Sequence, residues 1–207
     1  MTPLKIGLTG SIGMGKTTTA RMFAEAGLPV WDADAAVHRL YAPGGDAVPQ
    51  IARLFPEAVG PAGVDRDALK RRISENPEAL GRIEAVVHPL VAADRARFVA
   101  EAEAKAVVFD IPLLFETGAD REMDLTVTVT TDAETQRARV MRRPGMTEDQ
   151  FAAIAAKQMP DAEKRARADM VIRTDDLDTA RAGVEDVLRR IEERRVERRR
   201  SEGGPDA

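Results

Sequence analysis

Gly10-Ser11-Ile12-Gly13-Met14-Gly15-Lys16-Thr17 fits the pattern G-x-x-x-x-G-K-[ST], and it lies between an apolar run, Leu4–Thr9, and a helical pattern from Thr17 to Ala26. The spacing demands a buried strand that ends in a glycine-rich turn, with a helix starting inside that turn. Glycine accepts positive φ and presents no Cβ, so successive backbone N–H groups can converge as an anion nest. The unsatisfied N–H groups and dipole of the following helix add positive potential. Ser11, Ile12, Gly13, Met14, Gly15, Lys16, Thr17 and Thr18 therefore form the candidate phosphate-binding segment of a nucleotide triphosphate site. Lys16 is placed at the β- and γ-phosphates and the Thr17 hydroxyl on Mg²⁺.

The rest of the chain continues the strand–helix alternation. Pro29–Trp31, Ala106–Ile111, Leu125–Thr130 and Met170–Arg173 are further strand candidates, while Gly27 sits where a left-handed helix cap is wanted. Strands separated by helices imply parallel crossovers. The expected fold is α/β: a parallel five-stranded sheet with helices on both faces, its core drawn from residues 1–34, 105–132 and 168–200. Residues 35–104 show helix signals and no convincing strand. Asp65 caps Arg66–Ile73, Pro77 opens another helix, and Leu90–Ala104 follows His88-Pro89. This stretch is expected as a helical insert that binds the acceptor. Residues 133–167 are expected as a helical lid, with a capping box from Thr147 to Gln150. Residues 201–207 are polar and expected to be disordered.

Composition narrows the function classes. With 207 residues and 43% apolar content the chain has material for one compact core, and no apolar run approaches a membrane span. The start lacks a signal-peptide pattern, and zero cysteines exclude disulfides, thiolate metal sites and a cysteine nucleophile. A cytoplasmic, soluble monomer is expected. A net charge of −4 argues against a nucleic-acid partner over the whole surface. Arg189–Arg200 holds seven arginines and three glutamates, which fits a solvated helix end better than a docking tail for RNA or lipid. None of the six lysines follows Asn or Thr, so the guanine-reading motif of regulatory GTPases is missing. A short phosphate-loop chain with two helical inserts points instead to a small-molecule kinase, where closure over ATP keeps water from the γ-phosphate. A nucleotide-gated switch is the reading from outside enzymology.

The phrase Gly7–Thr17, followed by Val30-Trp31-Asp32-Ala33-Asp34, resembles the dephospho-coenzyme A kinase family. His88-Pro89-Leu90-Val91, Asp110–Glu116, the set Gln136, Arg139 and Arg143, then Gln158 and Ala168–Ile172 follow in that family's order. Ser11 and Met14 depart from the residues usual there. The resemblance implies transfer of the ATP γ-phosphate, with Mg²⁺, to the ribose 3′-hydroxyl of dephospho-coenzyme A, the last step of coenzyme A synthesis. It also makes Asp34 the candidate base. A nucleoside monophosphate kinase is the nearest rival.

The remaining candidates follow from residue chemistry. Asp32 and Asp34, two apart at a strand end, would share one face if extended, and one of them would otherwise cap the next helix. Asp32 is set beside Asp34 as an acceptor contact or a partner of magnesium-bound water. Asp110 ends an apolar strand, where a carboxylate holds magnesium-bound water. Arg139 and Arg143 are four apart and would share a helical face, suited to ATP phosphates, with Arg142 as the exposed comparison. Pro89 should hold His88 extended, beside the acceptor or in a structural hydrogen bond. Pro112 and Leu113 are expected in an apolar wall beside the acceptor, with Glu116 either binding acceptor or facing solvent. Trp31 is expected in the core.

Overall fold

The computed structural model describes residues 2–202. Strand β1 (Leu4–Thr9) leads through the glycine turn into α1 (Lys16–Glu25), which ends at Ala26 before Gly27 at φ +83°. Short β2 (Val30–Asp32) runs into α2 (Ala33–Tyr41), followed by α3 (Val48–Leu54), the two-residue strands β3 (Val59–Gly60) and β4 (Gly63–Val64), α4 (Arg66–Glu75) and long α5 (Glu78–Glu101). Then come β5 (Ala106–Asp110), β6 (Leu125–Thr130), α6 (Ala133–Met141), α7 (Glu148–Ala155), α8 (Asp161–Arg167), β7 (Met170–Arg173) and α9 (Leu177–Glu202). The main sheet has the order β2-β5-β1-β6-β7, and β1 pairs in parallel with both β5 and β6, as does β6 with β7. This is the five-stranded α/β sheet that the alternation implies. The chain divides into two compact units, one of residues 2–30 with 102–202 and one of residues 31–101.

The first unit shows why its strands read as continuous apolar runs. Leu4, Ile6 and Leu8 face α1 and α9, in a core with Phe23, Val108, Val127, Val184, Val187 and Ile191. The alternate side chains face the other way, as the period of two requires. A Cβ on Gly7 would meet Leu114 and Met123, so the segment after β5 lies directly on that face. Thr126, Thr128 and Thr130 of β6 bond there to Asp169, the Lys164 carbonyl and Asp161. Buried hydroxyls must find such partners or forfeit their hydration. α7 begins with the expected capping box at Thr147 and Gln150.

The second unit has its own core around Leu40, Ile51, Phe55, Leu69, Ile83 and Val87. Trp31, also in this unit, is buried, and its indole N–H donates to Asp94 at 2.8 Å. Arg39 and Arg97 also donate to Asp94, so burial of this carboxylate, which alone would raise its pKa, is outweighed by these donors and the pKa is lowered.

Four expectations need correction. The stretch 35–104 is not purely helical, because β3 and β4 form an antiparallel hairpin turned by Gly63 at φ +91°. The two helices expected around His88-Pro89 are one: Pro89 lies inside α5 and His88 is helical and exposed. A proline costs an interior helix about 3 kcal/mol. Anchoring on both sides, by buried Ile83 and Val87 before it and the Asp94 cluster after it, outweighs that cost. Asp32 and Asp34 do not share an extended face, since α2 starts at Ala33 and leaves Asp34 in its first turn. Finally, Ser201 and Glu202 belong to α9, while residues 203–207 of the expected tail lie outside the described residues. The arginines of α9 pair with acids three residues away, as in Arg190–Glu193 and Arg195–Glu192. Among the described residues no helix is long and apolar enough to cross a membrane.

Candidate active site

The turn between β1 and α1 needs glycine where the pattern has it. Gly13 and Gly15 adopt φ +82° and +87°, a region that L side chains rarely enter. A Cβ on Gly13 would also lie 2.6 Å from Val140 and 2.9 Å from the Gln136 carbonyl, and one on Gly15 would lie 2.9 Å from the Thr174 hydroxyl. Thus α6 and the end of β7 press against the turn. Gly15 is the N-cap of α1, with no side-chain cap and no acid in the first turn, so the helix start keeps its positive end.

Lys16 opens α1, and its ammonium forms an ion pair with Asp110 at the end of β5. The register that sets Leu8 beside Asp110 explains the meeting, because both strands end at the same edge of the sheet. Thr17 is exposed on the first turn of α1 and Thr18 half-buried. Ser11 is buried. Met14 turns its side chain inward, where its sulfur accepts from the Thr131 N–H at 3.2 Å and its carbonyl from the Thr174 hydroxyl at 2.8 Å. The Met14 side chain is therefore accommodated in the interior. Ile12 is gripped at both ends: its N–H donates to Gln158 at 2.9 Å and its carbonyl accepts from Gln136 at 2.7 Å.

Arg139 and Arg143 do not share a helical face. α6 stops at Met141, with Arg142 as its C-cap, and Arg143 lies just beyond. Pro144 disfavours helical backbone at the residue before it, which is why the helix closes there. Arg139 donates to the Thr174 carbonyl at 2.6 Å and the Asp175 carbonyl at 3.3 Å, whereas Arg142 and Arg143 are exposed. In the second unit, Asp32 accepts from the Ala35 N–H at 2.8 Å as the cap of α2, and Asp34 is exposed beside it.

After β5, the Pro112 carbonyl accepts from the Thr9 hydroxyl at 3.0 Å. Leu113 is exposed, while Leu114 and Phe115 are buried. Glu116 does not simply face solvent. Its Oε1 accepts from the Met159 N–H at 2.7 Å and pairs with Lys164 at 2.9 Å, while its Oε2 is buried without a partner. Burial works to raise the Glu116 pKa, but Lys164 and the Met159 N–H outweigh it and hold the pKa below its ordinary value.

Lys164 is the residue that sequence reasoning missed. Its side chain is fully buried, and it also donates to the Pro112 carbonyl at 3.0 Å and the Thr9 hydroxyl at 3.4 Å. In the sequence it stands among Glu163, Arg165 and Arg167, a pattern indistinguishable from a solvated helix face.

A parallel sheet whose first strand ends in a glycine turn, with an uncapped helix start and a lysine at its first position, defines a P-loop nucleotide-binding protein. The dephospho-CoA kinase family profile matches residues 4–178. Curated dephospho-CoA kinases from Ruegeria pomeroyi and Cereibacter sphaeroides are 59% and 57% identical over 187 and 193 residues. Those alignments cover 90% and 93% of this chain and 95% and 98% of the relatives. A solved Thermus thermophilus structure is 37% identical with a TM-score of 0.81, covering 91% of this chain and 97% of that one. The fold is also shared with a dephospho-CoA kinase from Campylobacter jejuni, at 22% identity and a TM-score of 0.63 over 92% of this chain and 98% of that one. The chain belongs to the dephospho-CoA kinase family and is an enzyme, a kinase of coenzyme A biosynthesis.

Proposed function

We propose that this chain moves the γ-phosphoryl group of ATP to the ribose 3′-hydroxyl of dephospho-coenzyme A in the cytoplasm, as a monomer, with each role carried by the residues above. The observation that carries the reading is the uncapped start of α1 behind a turn whose glycines have no room for a Cβ. Such a nest holds a chain of phosphates by backbone N–H groups from Gly13 to Thr18. Lys16 exchanges its Asp110 partner for phosphate oxygens as ATP enters. Thr17 and Asp110 supply hard oxygen donors of the kind Mg²⁺ takes, alongside phosphate oxygens. The ion, when bound, neutralises charge on the β- and γ-phosphates.

Asp34 orients the 3′-hydroxyl and takes its proton. The 3′-oxygen forms a bond to the γ-phosphorus, the bond to the bridging β–γ oxygen breaks, and ADP departs with that electron pair. Support for Asp34 over Asp32 is chemical: Asp32 already accepts the cap bond of α2. Asp32, His88, Pro112, Leu113 and Glu116 are assigned to the acceptor side, Pro112 and Glu116 through the segment that Lys164 holds. Arg139 and Arg143, within a lid of residues 133–167, offset negative charge on ATP. Closure of that lid excludes water as a competing nucleophile.

ATP consumption measured with dephospho-coenzyme A, AMP and water alone tests the assignment. Strong stimulation by dephospho-coenzyme A, with a 3′-phosphate in the product, is expected; equal rates with AMP would refute the acceptor.

A further inference from the structure

Among the described residues, Ile12 of the glycine turn is held through both of its peptide groups by side chains from elsewhere. Its N–H belongs to the Ser11–Ile12 peptide and donates to Gln158 Oε1; its carbonyl belongs to the Ile12–Gly13 peptide and accepts from Gln136 Nε2. A trans peptide is planar, with its N–H and C=O directed to opposite sides, and no cis peptide occurs among the described residues. Fixing the Ile12 carbonyl therefore fixes the direction of the Gly13 N–H. Fixing the Ile12 N–H likewise fixes the Ser11 carbonyl, which accepts from the Met14 N–H at 3.1 Å. Two successive planes of the turn are thus set from outside it.

The turn needs that help. Glycine has the broadest range of backbone angles, so Gly13 at φ +82° does not hold its own N–H in place. The two glutamines are themselves anchored. Gln136 is on α6, whose backbone lies against Gly13, and Gln158 precedes Met159, whose N–H is held by Glu116. Neighbouring Ser11 and Met14 are buried, so the turn is packed below as well as gripped above.

We infer that Gln136 and Gln158 are positioning residues of the phosphate loop, acting through the Ile12 peptide groups to aim the Gly13 N–H before ATP arrives. This rests on residues 10–17 being the ATP phosphate loop. The two glutamines do so with opposite chemistry: Gln136 must donate and Gln158 must accept. A carboxylate of the same shape can replace the acceptor but not the donor.

That asymmetry supplies the test. Gln136→Glu, Gln158→Glu and the apolar Gln136→Met and Gln158→Met are compared with wild type for kcat and for KM of each substrate. Both Met variants are expected to raise KM for ATP about tenfold, as for loss of a hydrogen bond that orders a site. KM for dephospho-coenzyme A should stay within about twofold by the same reasoning. Both Glu variants carry the same added charge near the turn, so their difference reads hydrogen-bond polarity. Gln136→Glu is expected to lose about ten times more kcat/KM for ATP than Gln158→Glu. Thermal protection by ATP, measured on the same set without acceptor, should rank the variants identically. It separates failure of this inference from failure of the acceptor assignment. Equal losses for the two Glu variants, or equal rises in both KM values for the Met variants, would overturn the positioning role in favour of simple packing.

Discussion

The ammonium of Lys164, fully buried on α8, lies 2.9 Å from Glu116 of the segment that follows β5. It bridges that segment to the end of β1 through Pro112 and Thr9. A buried charge stripped of its partner is strongly destabilising. Lys164→Met, which keeps the length and removes the charge, is therefore expected to lose about 3 kcal/mol in urea denaturation. Lys164→Met combined with Glu116→Leu should recover part of that loss, because no carboxylate is then left unpaired. A single variant as stable as wild type would show that the pair contributes nothing net.

Acid should reveal the same pair. Glu116 is held below its ordinary pKa of 4.5, so it contributes stability that is present above that value and lost as pH falls through the lowered one. Stability measured from about pH 6 down to about pH 3 should fall more steeply for wild type than for Glu116→Gln, which has no proton to gain. Parallel curves would assign acid sensitivity to other carboxylates, Asp94 first among them.

Asp32 and Asp34 are expected to separate into two different losses. Asp32→Ala removes the cap of α2 and should cost about 1 kcal/mol of stability. Asp34→Asn should leave stability unchanged and lower kcat by about 10²–10³, the lower part of the range for a general base, because a loose transition state has moved little proton. KM for ATP should hardly change. Turnover of Asp34→Asn within about threefold of wild type would remove it as the base.

The arginines beside α6 should differ as well. Arg139→Ala is expected to lower kcat by about tenfold or more and to cost about 1 kcal/mol, since the Thr174 carbonyl loses its donor. Arg143→Ala should lower kcat without a stability cost, and Arg142→Ala should do neither. Steady-state kinetics beside thermal melting distinguishes the three. A common result for all of them would argue that none contacts phosphate specifically.

The glycine pattern, the strand periodicity and the capping signals were legible because each is local. Gly15 must have positive φ wherever the turn occurs, Thr147 caps α7 through its own neighbours, and β1 alternates faces by geometry alone. The sequence by itself therefore determined the α/β class, the phosphate loop and, with the ordered resemblance, the family. Tertiary structure decided what depended on distant partners. Pro89 was accepted into α5 because packing on both sides outweighs a lost hydrogen bond, and Arg139 turned to the end of β7, where the carbonyl of buried Thr174 takes its strongest hydrogen bond. Lys164 and Gln158 drew their importance from Thr9, Glu116 and Ile12, residues far away in sequence, and no local pattern encodes that proximity. A buried charge or a gripped peptide is defined by what surrounds it, and only the folded chain supplies the surroundings.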